Sequence, residues 1–267
     1  MEKDNNFKLK SEGKCLYCDE TFTKVGIHKH LQKHLKDKIA YNKPGQSFLI
    51  KAEPNPRWGS TPYFLSLWIN GETWMEEVDQ FLRDIWLECC GHMSAFTYSK
   101  NRKNTGEKFD FLRAEELLKA GKGKEYEEMM DDLNGEVPFS RKAKKAFYEG
   151  LQLRYQYDFG STTELLITVI AEYPVKADDP IVLLSRNEPP KLICEHCGKA
   201  AATQTCSVCC GYEDEGLFCE ECAQEHAETC GAFEEYAAMP VLNSPRMGVC
   251  GYGGGRIDTA RDGVFKG

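Results

Sequence analysis

The sequence lacks any apolar run long enough to cross a membrane. Its longest run, Leu165 to Ala171, is short and includes Thr168, whereas a membrane-spanning helix needs about 20 residues. No apolar stretch follows the polar residues Met1 to Asn6, so the sequence predicts no secretory signal, no membrane contact and a cytoplasmic location. Disulfides are rare in that reducing compartment, and the 13 cysteines therefore indicate another role.

The sequence also lacks the short motifs of the common enzyme classes. It contains no Gly-rich phosphate loop, no Gly-x-Ser-x-Gly elbow and no His-Glu-x-x-His motif. Four glycines near the C-terminus lie outside any strand-turn-helix pattern that binds phosphate; they are Gly251, Gly253, Gly254 and Gly255. A non-enzymatic function is therefore favoured, with an enzyme as the alternative.

Charge is unevenly distributed along the chain. Up to Trp58 there are 12 basic and 7 acidic side chains, a net +5, and beyond it 22 against 35, a net -13. The basic part could approach nucleic acid, whereas the acidic remainder would repel phosphate. Residues 188–236 are the most acidic stretch, with 11 carboxylates against Lys191 and Lys199. Any nucleic-acid contact is therefore expected in the N-terminal part.

A first group of metal-ligand residues lies near the N-terminus. Cys15 and Cys18 form a Cys-x2-Cys pair, and His30 and His34 stand one helical turn apart. Two thiolates and two imidazoles suit tetrahedral zinc. The pattern resembles a C2H2 finger, with one residue fewer than the usual number, about twelve, between Cys18 and His30. His28 is a competing donor.

A denser group of ligands lies near the C-terminus. Its eight members form four pairs, which can fill two closed tetrahedral sites and leave no position for a catalytic water. Two pairings are open, sequential and interleaved, and interleaving is preferred because it ties a segment with few apolar residues into one unit. The interleaved sites are Cys194, Cys197, Cys219 and Cys222 for one ion, and Cys206, Cys209, His226 and Cys230 for the other.

Three zinc ions are therefore expected, one in the finger and two in the C-terminal module. Cys210 could replace Cys209, and His196 is a spare donor. Cys89, Cys90 and His92 could be a nucleophile with a base, or further metal ligands, but a buried cysteine at the end of a helix that stops at Gly91 is the favoured interpretation. No role is assigned to Cys250.

Between the zinc modules, the hydrophobic pattern predicts an α+β core. Apolar residues at helical spacing from Trp74 to Trp86 predict one amphipathic helix, and a charged helix over 113–133 is predicted to lie over the core. The strand over 165–173 is nearly all apolar, which predicts burial on both faces. The predicted strands cover residues 47–52, 62–69, 151–159, 165–173 and 181–184.

The predicted architecture is a small mixed sheet with a packed amphipathic helix, flanked by an N-terminal C2H2-like finger and a C-terminal two-zinc module. Four regions follow from the pattern. They are a finger with a basic linker over 1–45, the core over 46–190, the cysteine-rich module over 191–236 and a Gly-rich tail over 237–267.

Three stretches of the sequence together resemble a known family. They run from Ile85 to Phe96, from Tyr155 to Leu165 and from Val241 to Gly251. They are similar to the Ri-plasmid open-reading-frame-three-like family, also called insertion-element passenger proteins, in a larger variant with flanking zinc modules. The resemblance implies an α+β core over about 46–188 and a link to mobile DNA, but no reaction. Many members continue the Tyr-Asp-Phe-Gly turn with Asp, an aromatic residue and His, where this chain has Ser161 to Glu164.

The combined pattern predicts a zinc-binding adaptor without enzymatic activity. Lys24, Lys29 and Lys33, on or near the finger helix, would contact the phosphates of DNA or RNA, and the C-terminal module would contact a protein. A single finger reads about three base pairs, so it would not bind DNA sequence-specifically by itself. The alternatives are an enzyme that uses Asp158 with His92 or Cys90, and a purely protein-binding scaffold.

Overall fold

The computed structural model describes residues 11–56, 61–100, 111–210 and 216–263. Trp58, at the boundary between the basic and the acidic part of the sequence, lies outside these described residues. In chain order the strands are β1 (Glu12–Lys14), β2 (Thr21–Thr23), β3 (Pro44–Pro54), β4 (Leu65–Asn70), β5 (Ser94–Lys100), β6 (Glu136–Val137), β7 (Gln152–Tyr157), β8 (Thr163–Val175), β9 (Ile181–Arg186), β10 (Gln204–Cys206), β11 (Leu217–Phe218) and β12 (Ala238–Pro240). The helices are α1 (Gly26–Lys38), α2 (Met75–Leu82), α3 (Phe111–Lys119), α4 (Gly123–Asn134), α5 (Ala143–Ala146) and α6 (Glu220–Thr229).

A seven-stranded antiparallel sheet forms the centre of the fold. Its strands lie in the order β6, β5, β7, β8, β3, β4, β9. The predicted α+β class with flanking modules is confirmed, and the sheet is larger than the small mixed sheet expected. Strand β5 is absent from the sequence prediction because its sequence, Ser-Ala-Phe-Thr-Tyr-Ser-Lys, is largely polar and its place is set by pairing with β7.

Strand β8 alternates between buried and half-buried side chains. Leu165, Ile167 and Val169 face the core, whereas Leu166 and Thr168 are only half-buried. The predicted burial of this strand on both faces is therefore wrong. The reason is that the finger helix α1 covers only part of the opposite face, further along the strand.

Helix α2 packs its apolar face against the sheet. Val78, Leu82 and Trp86 are fully buried in the main hydrophobic core, as the helical spacing predicts. After Leu82 the helix widens into a π turn, Arg83–Leu87, and the chain then bends at Cys89. Turns of this kind are frequent beside functional sites.

The finger is packed onto the opposite face of the same sheet. Ile27, Leu31 and Leu35 of α1 share a buried cluster with Leu49 and Trp68 of the sheet. The predicted basic linker ends early, because β3 already begins at Pro44. The finger is thus joined to the core by a hydrophobic interface as well as by the chain.

Residues 241–263, called the C-terminal strap below, cross the end of α2. The sequence predicts a Gly-rich tail here, but much of the strap is packed: Asn243, Ser244, Arg246 and Tyr252 are fully buried. Glycine permits this packing where the strap meets the π turn, because a side-chain carbon on Gly255 would lie 2.6 Å from the carbonyl oxygen of Ile85.

Helices α3 and α4 form the predicted charged insertion. They are separated at Gly121, whose φ of +69° favours glycine, and α4 leads directly into the edge strand β6. Across all the residues described, no helix combines the length and apolar character needed to span a membrane.

Candidate metal centres

The N-terminal ligands converge between the β1–β2 hairpin and α1. The donor atoms of Cys15, Cys18, His30 and His34 all lie within 4.8 Å of one another. The Sγ atom of Cys18 is 3.2 Å from Nε2 of His30, which is 3.0 Å from Nε2 of His34. Phe22 stacks on the His30 ring with centroids 4.0 Å apart. Two sulfurs and two nitrogens in this arrangement could hold a tetrahedral zinc ion.

His28 lies outside this cluster. Its Nε2 atom is 3.2 Å from the hydroxyl of Ser66 in β4, so its ring faces the core sheet. Burial lowers the pKa of His28 to about 4. His28, which the sequence offers as a competing donor, therefore points away from the other ligands.

The eight C-terminal ligands separate into two clusters. Cys194, Cys197, Cys219 and Cys222 form one, and Cys206, Cys209, His226 and Cys230 form the other. This is the interleaved grouping. The Sγ atoms of Cys197 and Cys219 are 4.0 Å apart, and Sγ of Cys209 is 3.7 Å from Nε2 of His226.

Local backbone geometry places these ligands. The residues of the first Cys-x2-Cys pair lie in a turn, in which the N–H of Gly198 donates to the carbonyl of Cys194 over 3.0 Å. Cys219 lies directly before α6, so Cys222 and His226 follow on successive turns of that helix. Backbone N–H groups of Ala200 and Lys199 lower the pKa of Cys197 to about 6, which favours the thiolate that zinc requires.

The ligands themselves make up most of the module's core. Its buried cluster consists of four cysteines with Phe218, Phe233 and two alanines, and Phe218 stacks on His226 at 4.2 Å. So small an apolar interior is typical of domains in which metal binding supplies the folding energy. His196 is exposed and forms a separate group with Cys222 and Glu225, whereas Cys210 belongs to none of the clusters.

A fourth cluster joins Cys250 to three residues for which the sequence left metal binding as an alternative. Cys89, Cys90 and His92 follow the π turn, and Cys250 approaches them from the C-terminal strap, with all four donor atoms within 4.8 Å of one another. Sγ of Cys90 lies 3.6 Å from Sγ of Cys250 and 2.9 Å from Nε2 of His92. The favoured interpretation of Cys89 and Cys90 as a helix end misses this convergence. The sequence offered Cys89, Cys90 and His92 as further metal ligands only as an alternative, and nothing in it linked Cys250 to them.

Polar groups from the core surround this fourth cluster. The hydroxyl of Tyr157 accepts from the backbone N–H groups of Cys89 and His92, each over 3.4 Å. The guanidinium of Arg246 donates to Asp158 over 2.6 Å and approaches Sγ of Cys89 at 3.6 Å. Oδ2 of Asp158 also lies 3.6 Å from Nε2 of His92. Arg246 holds the pKa of Asp158 at about 2, well below its usual range.

The three lysines predicted to contact nucleic acid are placed differently from one another. Nζ of Lys24 lies 2.6 Å from the carboxylate of Glu53, which is buried, and is largely shielded from solvent. Lys29 and Lys33 are exposed on the face of α1 that points away from the sheet. Lys24 is thus held in an ion pair with Glu53, whereas Lys29 and Lys33 are exposed and could contact phosphate.

Comparison with known proteins does not indicate a function for this chain. The functional argument therefore depends on the four clusters of cysteine and histidine side chains. No family model matches the chain, and a search of curated proteins finds no match. Among solved structures, a protein of unknown function, MM3350 from Methanosarcina mazei Go1, is similar over 52% of this chain and 67% of its own, with 12% identity and a TM-score of 0.35. A similarity at that level carries no argument about activity.

Proposed function

We propose that the protein is a zinc-stabilised, non-enzymatic adaptor. The observation that carries the proposal is the closed character of three clusters, each with four sulfur or imidazole donors and no position for a reacting ligand. Such sites stabilise binding modules more often than they catalyse reactions. A reducing, cytoplasmic location belongs to the proposal, because thiolate ligands need reduced cysteines.

The exposed face of the finger helix is the proposed nucleic-acid contact. Lys29 and Lys33 are one turn apart and solvent-exposed, and within the described residues neither is engaged in an ion pair. The opposite face is occupied by the sheet through Ile27, Leu31 and Leu35. A helix with only one accessible face favours phosphate contacts over base reading, which supports weak, salt-dependent binding of DNA or RNA.

The C-terminal module is the proposed protein contact. Helix α6 and the turn after it present carboxylates to solvent, and Tyr236, in that turn, has a side chain that is 67% exposed. The exposed acidic residues are Glu220, Glu221, Glu225, Glu228, Glu234 and Glu235. An acidic surface with one exposed aromatic ring suits a basic protein segment, through charge complementarity and one apolar anchor.

The nucleic-acid contact is testable in the full chain. Fluorescence anisotropy with labelled single-stranded RNA and duplex DNA would compare the protein with Lys29→Glu/Lys33→Glu, and with Lys124→Glu/Lys145→Glu as a control of equal charge change on the body. We expect the finger variant to bind more weakly, with a salt slope lower by about two, since each phosphate contact contributes about one. Equal binding by both variants would contradict the proposal.

A thiol enzyme is the second candidate, favoured by one observation. Asp158, which is distant in sequence from Cys90 and His92, meets them at the fourth cluster: Cys90 is 2.9 Å from His92, and His92 is 3.6 Å from Asp158. This is the convergence that the enzyme alternative requires. A rate of Cys90 alkylation far above that of free cysteine in the metal-loaded protein would support the enzyme.

Membership of the Ri-plasmid open-reading-frame-three-like family is also a proposal. The three stretches that resemble the family meet in space, since they contribute Cys90, Asp158 and Arg246 to one locality. Such a meeting is what a shared functional feature would produce.

A further inference from the structure

We propose that Cys89, Cys90, His92 and Cys250 bind a fourth zinc ion, which fastens the C-terminal strap to the end of α2. This site goes beyond the adaptor function, which rests on the three clusters with regular ligand spacing.

Three of the separations between the donors lie close to the edges of a zinc tetrahedron, and a fourth, the 2.9 Å between Sγ of Cys90 and Nε2 of His92, is shorter. With ordinary zinc–sulfur and zinc–nitrogen bond lengths, two ligated sulfurs lie about 3.8 Å apart, and a sulfur and a nitrogen about 3.6 Å apart. Sγ of Cys89 is 3.8 Å from that of Cys90, and Sγ of Cys250 is 3.6 Å from Cys90 and 3.3 Å from Nε2 of His92. These distances resemble those in the finger and the C-terminal module.

The chemistry of the donors indicates zinc. Three sulfurs and one imidazole form a soft donor set that suits Zn²⁺ and does not suit Mg²⁺ or Ca²⁺. All thirteen cysteines are free thiols, so the four groups are available as ligands. Cys250 adopts a left-handed φ of 50°, a conformation that is costly for a residue other than glycine and is typically kept where function or packing requires it.

The surroundings hold the ligands in place. The N–H of Gly91 donates to Oε1 of Glu88 over 2.6 Å, and the hydroxyl of Tyr157 donates to the same carboxylate over 3.1 Å. Tyr157 in turn receives the N–H groups of Cys89 and His92. The approach of Arg246 to Sγ of Cys89 provides a positive group beside a thiolate. Outer groups of this kind orient the ligands of metal sites.

The strap is attached to the π turn on both sides of Cys250. Before it, the hydroxyl of Ser244 donates to the carbonyl of Trp86 over 2.6 Å. After it, the N–H groups of Arg256 and Ile257 donate to the carbonyl of Asp84 over 2.5 and 3.3 Å. A metal ion at Cys250 would close the loop between these two attachments and link residues about 160 positions apart in sequence, as a cross-link does.

Metal content of variants in the full chain tests the proposal. Protein purified without added metal would be measured by elemental analysis, with thiols kept reduced. We expect four zinc ions in the parent chain and three in Cys250→Ser and His92→Ala, one for each cluster that remains. His92→Cys should retain four, because a fourth sulfur can replace the imidazole. Cys210→Ser, which changes the one cysteine outside the clusters, should also retain four.

Three outcomes would overturn the fourth site. They are an unchanged zinc content in Cys250→Ser, equal contents in His92→Ala and His92→Cys, and a Cys90–Cys250 disulfide in a non-reducing digest of the freshly purified protein. If Cys250→Ser lost all its metal through unfolding, the two His92 variants would decide. The adaptor function is tested by a different measurement, the nucleic-acid binding of Lys29→Glu/Lys33→Glu, so failure of one proposal can be told from failure of the other.

Discussion

The guanidinium of Arg246, in the C-terminal strap, lies 2.6 Å from the carboxylate of Asp158, at the turn between the core strands β7 and β8. That contact is made by Nη2 of Arg246, whereas Nη1 donates to the carbonyl of Ser161 over 2.5 Å and to the hydroxyl of Thr163 over 3.1 Å. Asp158 has a left-handed φ of 63°. One buried side chain thus links the strap to a strained turn of the sheet.

Replacement of Arg246 should loosen both segments. Arg246→Met fills similar space but leaves the carboxylate of Asp158 and the carbonyl of Ser161 without their donor, and a buried charge that has lost its partner is strongly destabilising. We expect a lower midpoint of urea unfolding and lost hydrogen-exchange protection in residues 158–163 and 241–263. Arg256→Met removes an exposed ion pair with Asp84 and should have little effect. Equal effects of the two variants would contradict the linking role.

The strap should also respond to a single added methyl group. In Gly255→Ala the new carbon would lie 2.6 Å from the carbonyl oxygen of Ile85, and backbone at such a contact has to move. We expect destabilisation by about 1–3 kcal/mol, as for other overpacked sites, together with faster hydrogen exchange in the strap. Gly253→Ala is the matched control, because a carbon there meets nothing within 4 Å. A stable Gly255→Ala variant would mean that the strap is not held at the π turn.

The sequence predicts the clusters whose ligands are close along the chain, because a Cys-x2-Cys turn or a pair of histidines on one helix is formed locally. The fourth cluster could not be found in this way. Cys90 and Cys250 meet only because the strap crosses the end of α2, and adjacent cysteines such as Cys89 and Cys90 have no regular ligand spacing.

Two other features depended on tertiary structure. Lys24 has the charge and position of a phosphate ligand, but its partner Glu53 comes from β3 and is not visible in the local pattern. The glycines near the C-terminus resemble a tail in composition, although the packing of Tyr252 and Arg246 makes the strap part of the core. In contrast, the period of α2 and the alternation of β7 follow from local apolar spacing, and both were predictable.

The interface between the finger and the sheet should contribute to the stability of the whole chain. Leu31→Ala would leave a cavity among Ile27, Leu49 and Trp68, and such changes cost about 2–5 kcal/mol. We expect the free energy of unfolding to fall by that amount while zinc content is unchanged. The control is Lys36→Ala on the exposed face of α1. A small effect of Leu31→Ala, comparable to the control, would indicate that the finger folds independently.

Glu53 should give this interface an acid-sensitive component. Burial alone would raise the pKa of Glu53, but hydrogen bonds from Lys24 and Lys51 outweigh it and hold the pKa below its ordinary value of 4.5. The lowered folded-state pKa means that the stabilisation is complete above that ordinary value and is lost as the pH falls through the folded-state pKa. Near neutral pH, Glu53→Gln should cost about 1–2 kcal/mol.

The measurement is urea unfolding across the acid range. The difference between the parent chain and Glu53→Gln should shrink as the pH falls below about 4.5, because both then carry a neutral group at this position. Glu149→Gln, at an exposed position, should follow the parent chain throughout. A difference that grows on acidification would contradict the assigned ion pairs.

Loss of one ligand should unfold the C-terminal module without unfolding the sheet. In Cys219→Ser, one cluster keeps three of its four donors, and the second ion is affected because the ligand pairs interleave along the chain. The apolar interior of the module is too small to replace the metal. We therefore expect residues 194–230 to lose hydrogen-exchange protection, while α2 and β7 retain theirs. Cys210→Ser, beside a ligand but outside the clusters, should leave the module protected. If protection fell equally across β7 and the module in Cys219→Ser, the module would be an integral part of the core, and its metal would stabilise the entire fold.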